Sequence, residues 1–361
     1  MSGAAQDSES AKSEVSTALA LPKKSKFLLA IMALIGLATF ALGILIAAYS
    51  YVNYQYESVP TGEAREIVFD VKKGSGLSRI ATELESVGAI KSATMFKLVT
   101  KLRGNESAFK AGEFALTLPS SMNDIYTTLS EGKAILYPVT VAEGRTSAQI
   151  VRQLSDYDWM SAEEITVPAE GTLLPETYLL PRNMSHSDAI ARMKAAQKEV
   201  IDRLWATRDK NLPIKTKEEA IILASIVEKE TGIDGERDRV ASVFINRLNR
   251  GIRLQSDPTI IYGISKGEVL RNKAGEQRGI RRSEIDRKTE WNTYQIDGLP
   301  KTAICNPGEA AIAAVLNPPK TNDLFFVADG TGGHIFARTL AQHNANVAKW
   351  RQIERARKNK R

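Results

Sequence analysis

The sequence predicts an α+β protein with a single N-terminal transmembrane helix, a small αβ domain and a mainly helical second domain carrying a small β-hairpin. Three observations predict it: a charge-free apolar run near the N-terminus, a strand-turn-helix pattern that occurs three times between residues 66 and 155, and a series of helix-capping signals from residue 160 onward, broken by one Gly-rich hairpin signal. With 361 residues, 43% of them hydrophobic, the chain is long enough to build more than one core.

The apolar run FLLAIMALIGLATFALGILIAAYSYV, Phe27 to Val52, has 26 residues, where about 20 suffice to cross a bilayer. It follows a polar preface and exceeds the roughly 7–15 apolar residues of a cleaved signal peptide. A retained transmembrane helix over 27–52 is therefore expected. Lys23, Lys24 and Lys26 precede it, so the positive-inside rule puts residues 1–26 in the cytoplasm and everything from about Asn53 outside. The Ser/Ala/Glu-rich preface has no aromatic residue and reads as a disordered tail.

The threefold pattern is Val71-KKGSGLSRIATE-Leu84, Leu116-TLPSSMNDIYTT-Leu129 and Val141-AEGRTSAQIVRQ-Leu154, each with Gly or Pro three residues after the first apolar position, Ile at nine and Leu at thirteen. Gly or Pro ends a strand, Ser75, Ser120 and Thr146 are placed to cap a helix, and Ile and Leu four apart share one helical face. The first copy, V-x-x-G-x-x-x-x-x-I-A-x-x-L, resembles the LysM module, which implies a LysM-like domain over 66–155 that binds or positions N-acetylated glycan. A generic βα spacer is the competing reading.

VPAEGTLLPETYLLPRN, Val167 to Asn183, has three prolines and reads as an extended segment between two domains. Beyond it Ser187 is placed to cap a helix from Ala189 to about Ala206. Thr216 and Glu219 form a capping box opening Lys217 to about Thr231, and Asp234 to Leu248 gives a third helix, stopped by Asn249-Arg250-Gly251. Asn306-Pro307-Gly308-Glu309 has the form of a helix start with Asn as cap, and Asn317-Pro318-Pro319 that of a stop. LFFVAD and HIFAR around Gly330-Thr331-Gly332-Gly333 predict a hairpin, followed by a terminal helix from about Thr339. The second domain then spans 160–350, with a basic tail over 351–361.

Charge and composition exclude several functions. The net charge of +7 comes with no nucleic-acid recognition motif, so no nucleic-acid partner is expected. Cys305 is the single cysteine, and His186, His334 and His343 have no metalloprotease spacing. No metal and no cofactor are expected. Gly263-Ile-Ser265-Lys-Gly267 fits G-x-S-x-G, but the charged run after it reads as a loop and not as the helix a nucleophile elbow requires.

The stretch ILASIVEKETG, Ile222 to Gly232, carries the chemistry. The helix is apolar nearly all round from Ala220 to Val227, which predicts the buried central helix of its domain, and it ends on Glu228 and Glu230. Desolvation raises a carboxyl pKa, and a protonated carboxyl is what general-acid cleavage of a glycosidic bond needs. Periodicity does not choose between the two glutamates.

EGTLLPETYLLP, ILASIVEKET, ERDRVASVFINRL, RLQSDPTIIYGI, WNTYQIDGLP, ICNPGEAAIAAVLNP and LFFVADGTGGHIF, in this order, resemble the MltG (YceG-like) family of endolytic murein transglycosylases. The resemblance implies a single-pass inner-membrane protein with a periplasmic catalytic domain that cuts β-1,4 bonds between N-acetylmuramic acid (MurNAc) and N-acetylglucosamine (GlcNAc) within peptidoglycan strands. It implies as partners the glycan strands, the bilayer through one helix, and peptidoglycan synthases.

It also implies Glu228, the first glutamate of EKET, as the catalytic residue. Glu228 then protonates the leaving oxygen and afterwards takes a proton from the muramic acid 6-hydroxyl, which closes on its own anomeric carbon. The intramolecular nucleophile removes the need for the second carboxylate of a retaining hydrolase. Thr177, Tyr178, Asn246, Gln255, Ser256, Asp257, Tyr262, Asn292, Tyr294 and Asn306 are the expected polar and aromatic cleft residues. Asp257-Pro258 also reads as a turn and Asn306 as a helix cap, and Glu230 stays open between assisting Glu228 and ending the helix. A membrane-tethered scaffold that binds peptidoglycan without cutting it, and recruits synthases, is the alternative; Glu228 is the residue that separates the two.

Overall fold

The structure, a computed structural model, describes residues 23–104, 109–232 and 235–358. Residues 1–22 of the expected cytoplasmic tail, Asp234 at the expected start of the third helix, and residues 359–361 of the expected basic tail lie outside the described residues. The chain divides into two compact units, Met1–Ala134 and Ile135–Arg361.

In the first unit α1 runs Lys23–Glu57, a turn beyond each end of the apolar run. Its side chains are exposed along that run, and it is the one helix among the described residues long and apolar enough to cross a membrane. Its C-terminal end is different, because Tyr56 is fully buried and stacks on Phe96 with Arg103 over its ring. β1 (Arg65–Val71), α2 (Leu77–Ser86), α3 (Ala93–Leu102), β2 (Gly112–Leu118) and α4 (Met122–Ser130) follow. β1 and β2 pair antiparallel, with Phe69 opposite Phe114. Alternate residues point inward, so Phe69, Val71, Phe114 and Leu116 meet Ile80, Leu84, Ile125 and Leu129 from the helices in one core.

The second unit begins with β3 (Leu136–Thr140) and α5 (Ser147–Ser155), the third copy of the pattern. All three copies have the expected strand-turn-helix form, and their Ile80, Leu84, Ile125, Leu129, Ile150 and Leu154 are buried. The third copy lies in the second compact unit and pairs with a different strand. Its partner is β4 (Thr177–Pro181), with Val139 opposite Tyr178. The proline-rich segment is therefore part of this unit and not a connection between two, because its Tyr-Leu-Leu run completes a two-stranded sheet. The caps shift by one residue in two copies. Gly76 precedes α2 without a side-chain bond, Ser121 caps α4, and only Thr146 caps as expected.

α6 (His186–Ala206) is capped by Ser185 and not Ser187, whose N–H instead donates to Glu163. α7 (Lys217–Glu230) opens on the expected Thr216/Glu219 capping box. α8 (Arg237–Asn249), α9 (Asp257–Ser265), the single turn α10 (Arg282–Ile285) and α11 (Glu309–Leu316) follow, then the expected hairpin of β5 (Phe325–Ala328) and β6 (His334–Ala337). α12 (Leu340–Lys358) carries most of the basic segment as helix. α9 was not expected. Asp257-Pro258 opens it, because proline has no N–H to lose in a first helical turn.

α7 is the central helix, packed against α6, α8, α9 and α11. Ala220, Leu223, Ala224, Ile226 and Val227 are completely buried. Each of the larger three contributes about 1.5–3 kcal/mol by leaving water. That burial fixes the axis of α7 and so the position of its last three residues.

Candidate active site

Glu228, Lys229 and Glu230 form the last turn of α7, where the helix dipole disfavours a carboxylate. Successive residues are about 100° apart, so the three side chains reach three different neighbourhoods.

Glu228 turns to the start of α11. Its Oε2 accepts the Gly308 N–H at 3.0 Å, its Oε1 lies 3.8 Å from Arg237, and its side chain is only 4% exposed. Burial pushes its carboxyl up, the Gly308 N–H opposes that, nearby Glu143 adds to it, and Arg237 and Lys229 oppose it. The result is a carboxyl that binds its proton more tightly than a solvated glutamate does.

Two loops hold this place. Gly144 N–H donates to the Asn306 carbonyl and Asn306 N–H to the Arg145 carbonyl, at 3.1 and 2.9 Å, so the turn after β3 is laced to the segment before α11. The Asn306 side chain is fully buried. It accepts the Leu173 N–H and donates to the Arg145 carbonyl, the Ser147 hydroxyl and Glu170. Glu170 also accepts the Ser147 N–H, and burial pushes its carboxyl up against that bond. Lys229 donates to the Gly144 carbonyl at 3.3 Å, which ties α7 to the same turn.

Glu230 faces the other way. It accepts a 2.5 Å bond from the Ser256 hydroxyl and lines a cleft of about 420 Å³ with Arg247, Gln255, Asp257, Tyr294 and Phe325. Burial pushes its carboxyl up to about 7, the Ser256 bond opposes the rise, and Asp257 adds to it. The folded protein therefore holds a proton that the unfolded chain releases near 4.5. Stability is highest below that pH and falls as pH rises towards about 7, by about 3 kcal/mol. Glu230→Gln removes the titration, so urea midpoints recorded from pH 5 to 8 are expected to lose most of their decline across this window; an unchanged decline would place the proton on another group.

A second cleft of about 490 Å³ is lined by Lys229, Asp257, Tyr262, Leu270, Arg278 and Ile304 among others. Asp257 borders both clefts and accepts the Tyr294 hydroxyl at 2.8 Å. Tyr262 meets Trp291 edge to face, and the Lys266 ammonium sits 3.5 Å above the Trp291 ring.

Of the expected cleft residues, Glu230, Gln255, Asp257 and Tyr294 line the first cleft, Asp257 and Tyr262 the second, and Ser256 reaches in through Glu230. The others line neither cleft and have these partners within the fold. Asn246 donates to the Thr321 and Asp323 carbonyls, fastening α8 to the segment before the hairpin. Asn292 is buried and donates to three carbonyls at the end of α10. Asn306 is not the cap of α11, a position taken by Gly308, but the tie described above. Thr177 and Tyr178 belong to β4, where Thr177 bonds Thr140 and the Tyr178 hydroxyl donates to the Leu174 carbonyl, steadying the sheet that leads into the turn at Glu143. Ser265, in the G-x-S-x-G segment, ends α9 and donates to two carbonyls, Ile261 and Glu268. His334 pairs with Glu236 at 2.7 Å, at the edge of the hairpin.

Glu143, Glu170, Arg237 and Gly308 escaped the sequence reading. One signal was available: Ala-Glu-Gly occurs twice, at 142–144 and 169–171, and both glycines have positive φ. A glutamate beside an obligatory turn, twice, next to the helix that carries Glu228, marks both carboxylates.

The YceG-like family model matches residues 69–349, which takes in all of these residues. The chain belongs to the YceG-like family. It is 28% identical over 343 residues to a Bacillus subtilis (strain 168) protein named endolytic murein transglycosylase, covering 85% of this chain and 91% of the relative. It is 27% identical over 353 residues to a protein of the same name from Streptococcus pneumoniae (strain D39), covering 84% of this chain. The match spans 63% of the pneumococcal relative, less than two thirds of its length. A crystal structure of a yceG-like protein from Listeria monocytogenes is 26% identical, with a TM-score of 0.47, and covers 78% of this chain and 99% of that one.

Proposed function

We propose that this protein is a membrane-anchored endolytic murein transglycosylase that cuts MurNAc-β-1,4-GlcNAc bonds inside peptidoglycan strands and leaves 1,6-anhydroMurNAc ends. The observation that carries this reading is Glu228, a buried carboxyl whose proton affinity is raised, fixed at the end of a rigid helix in a chain whose relatives bear that name. Glu228 donates its proton to the GlcNAc O4 as the C1–O4 bond breaks. The carboxylate left behind takes the proton of the MurNAc 6-hydroxyl, whose oxygen bonds to C1, and the enzyme returns to its starting state without consuming water. The Gly308 N–H and Arg237 steady the carboxylate between the two transfers.

The two clefts share Asp257 and reach the end of α7 through Glu230 and Lys229, the residues that follow Glu228, and offer a saccharide chain purchase beside it. Tyr294 and Tyr262 supply aromatic faces for sugar rings, and Gln255 and Asp257 supply polar partners, with Ser256 acting through Glu230. α1 spans the cytoplasmic membrane with its lysine end inside, which puts the catalytic unit in the periplasm, close to where nascent strands grow, and suits a terminase of their elongation working beside peptidoglycan synthases. Residues 66–155 serve as a LysM-like glycan-binding or positioning module, and the buried Val71, Ile80 and Leu84 support the strand-turn-helix form of the matching pattern.

Glycan strands labelled at one end test the endolytic part. Early samples are expected to carry the label on fragments of many lengths while mean length falls quickly. Label released first as a disaccharide would mean cutting from the end and would overturn it.

A further inference from the structure

Glu143 lies 85 residues before Glu228 in the chain, and neither the expected mechanism nor the family resemblance gives it work. The fold brings the two together. Arg237 Nη2 is 3.7 Å from Glu143 Oε2 and 3.8 Å from Glu228 Oε1, so one guanidinium nitrogen serves both carboxyls. Gly308 lies between them as well. Its N–H bonds Glu228, and a Cβ built on it would fall 1.8 Å from Glu143 Oε1, so the glycine is what lets the Glu143 carboxyl come this close.

The two carboxyls differ in solvation. The Glu143 side chain is 44% exposed and that of Glu228 is 4%. With one positive charge between two carboxyls, one ionised and one protonated is the balanced state, and ionisation costs less at the solvated one. The other groups facing Glu228 are Lys229 on its own helix, Arg237 on α8 and the neutral Cys305 thiol before α11. The two cations favour a Glu228 carboxylate; among these groups Glu143 alone carries charge that opposes it.

We propose that Glu143 is a positioning residue for the reaction, an anion held beside Glu228 that keeps the proton on the buried carboxyl before the cut and drives its return afterwards. In the resting site Glu143 is the carboxylate paired with Arg237, and Glu228 holds its proton. When Glu228 gives that proton to the leaving O4, two anions face one guanidinium. Their repulsion makes the Glu228 carboxylate a stronger base towards the 6-hydroxyl proton, so one side chain serves as acid and then as base. The direction of the Glu228 shift agrees, since Glu143 adds to the effect of burial. The inference rests on the reading that Glu228 is the acid and base.

The test records kcat and KM against pH for the full chain in detergent, with peptidoglycan as substrate, for the wild type, Glu143→Gln, Glu143→Asp, Gly308→Ala and Glu228→Gln. In Glu143→Gln the basic limb of the kcat profile is expected to move about one unit towards lower pH, with kcat near neutrality falling about tenfold and KM little changed. Glu143→Asp should restore part of the shift. Gly308→Ala, whose backbone φ of −74° suits alanine, should move the limb the same way by displacing the Glu143 carboxyl. A basic limb that stays in place in both Glu143→Gln and Gly308→Ala, while Glu228→Gln is inactive, overturns the role of Glu143 and leaves that of Glu228 standing. An active Glu228→Gln overturns the reading beneath both.

Discussion

Glu228→Gln is expected to lower kcat on peptidoglycan by roughly 10⁴-fold, the upper end of what one general acid-base group contributes, because a single carboxyl performs both proton transfers. The amide keeps the size of the side chain, and its carbonyl can still accept the Gly308 N–H that now bonds Oε2. KM should therefore change little, and so should the thermal midpoint. The change removes a proton from the reaction and little else. The contrast with Glu230→Gln sharpens the assignment, since that substitution should show itself in the pH dependence of stability. Rates on purified strands, with the thermal midpoint of each variant as a folding control, check the pair. Wild-type rates in Glu228→Gln with loss in Glu230→Gln would reverse the roles.

Asn306→Leu is expected to cost the second unit about 3–5 kcal/mol. Leucine keeps the branched outline of asparagine but is bulkier, leaves the Leu173 N–H buried without a partner, and takes the amide from the Ser147 hydroxyl, which keeps its bond to the Ala169 carbonyl. Each orphaned polar group of this kind costs about 1–3 kcal/mol. Activity should fall with stability, because Asn306 also bonds the Arg145 carbonyl and so holds the turn that carries Glu143. Urea unfolding should show a lower midpoint with an unchanged slope. A loss below about 1 kcal/mol would mean that water replaces the amide and that the three segments do not depend on it.

Much of the fold is written locally and could be read. Ile and Leu four apart in each repeat copy are buried as their spacing requires, Thr216 and Glu219 cap α7, and the Gly-rich turn makes its hairpin. The all-round apolar face of α7 announced a central helix, and that helix is central. What could not be read depends on contacts between residues distant in sequence. An asparagine looks the same whether it faces a cleft or joins distant loops, and Asn246, Asn292 and Asn306 all bond to backbone groups far from them in the chain or at the end of the neighbouring element. Asp-Pro reads as a turn until the hydrogen bonds after it form a helix.

The two glutamates of EKET could not be told apart by periodicity, because their difference lies in what meets them: Arg237 and Gly308 at Glu228, Ser256 and a cleft at Glu230. Glu143 stayed hidden for the same reason, since nothing near it in the chain tells which carboxyl it will face.

The most direct test of the central claim is product chemistry in heavy-oxygen water. Wild-type protein digesting peptidoglycan should generate new MurNAc ends in the 1,6-anhydro form, with no heavy oxygen incorporated, and Glu228→Gln should generate none. Reducing ends carrying the heavy oxygen would mean that water, and not the 6-hydroxyl, attacks the anomeric carbon, and would contradict the account.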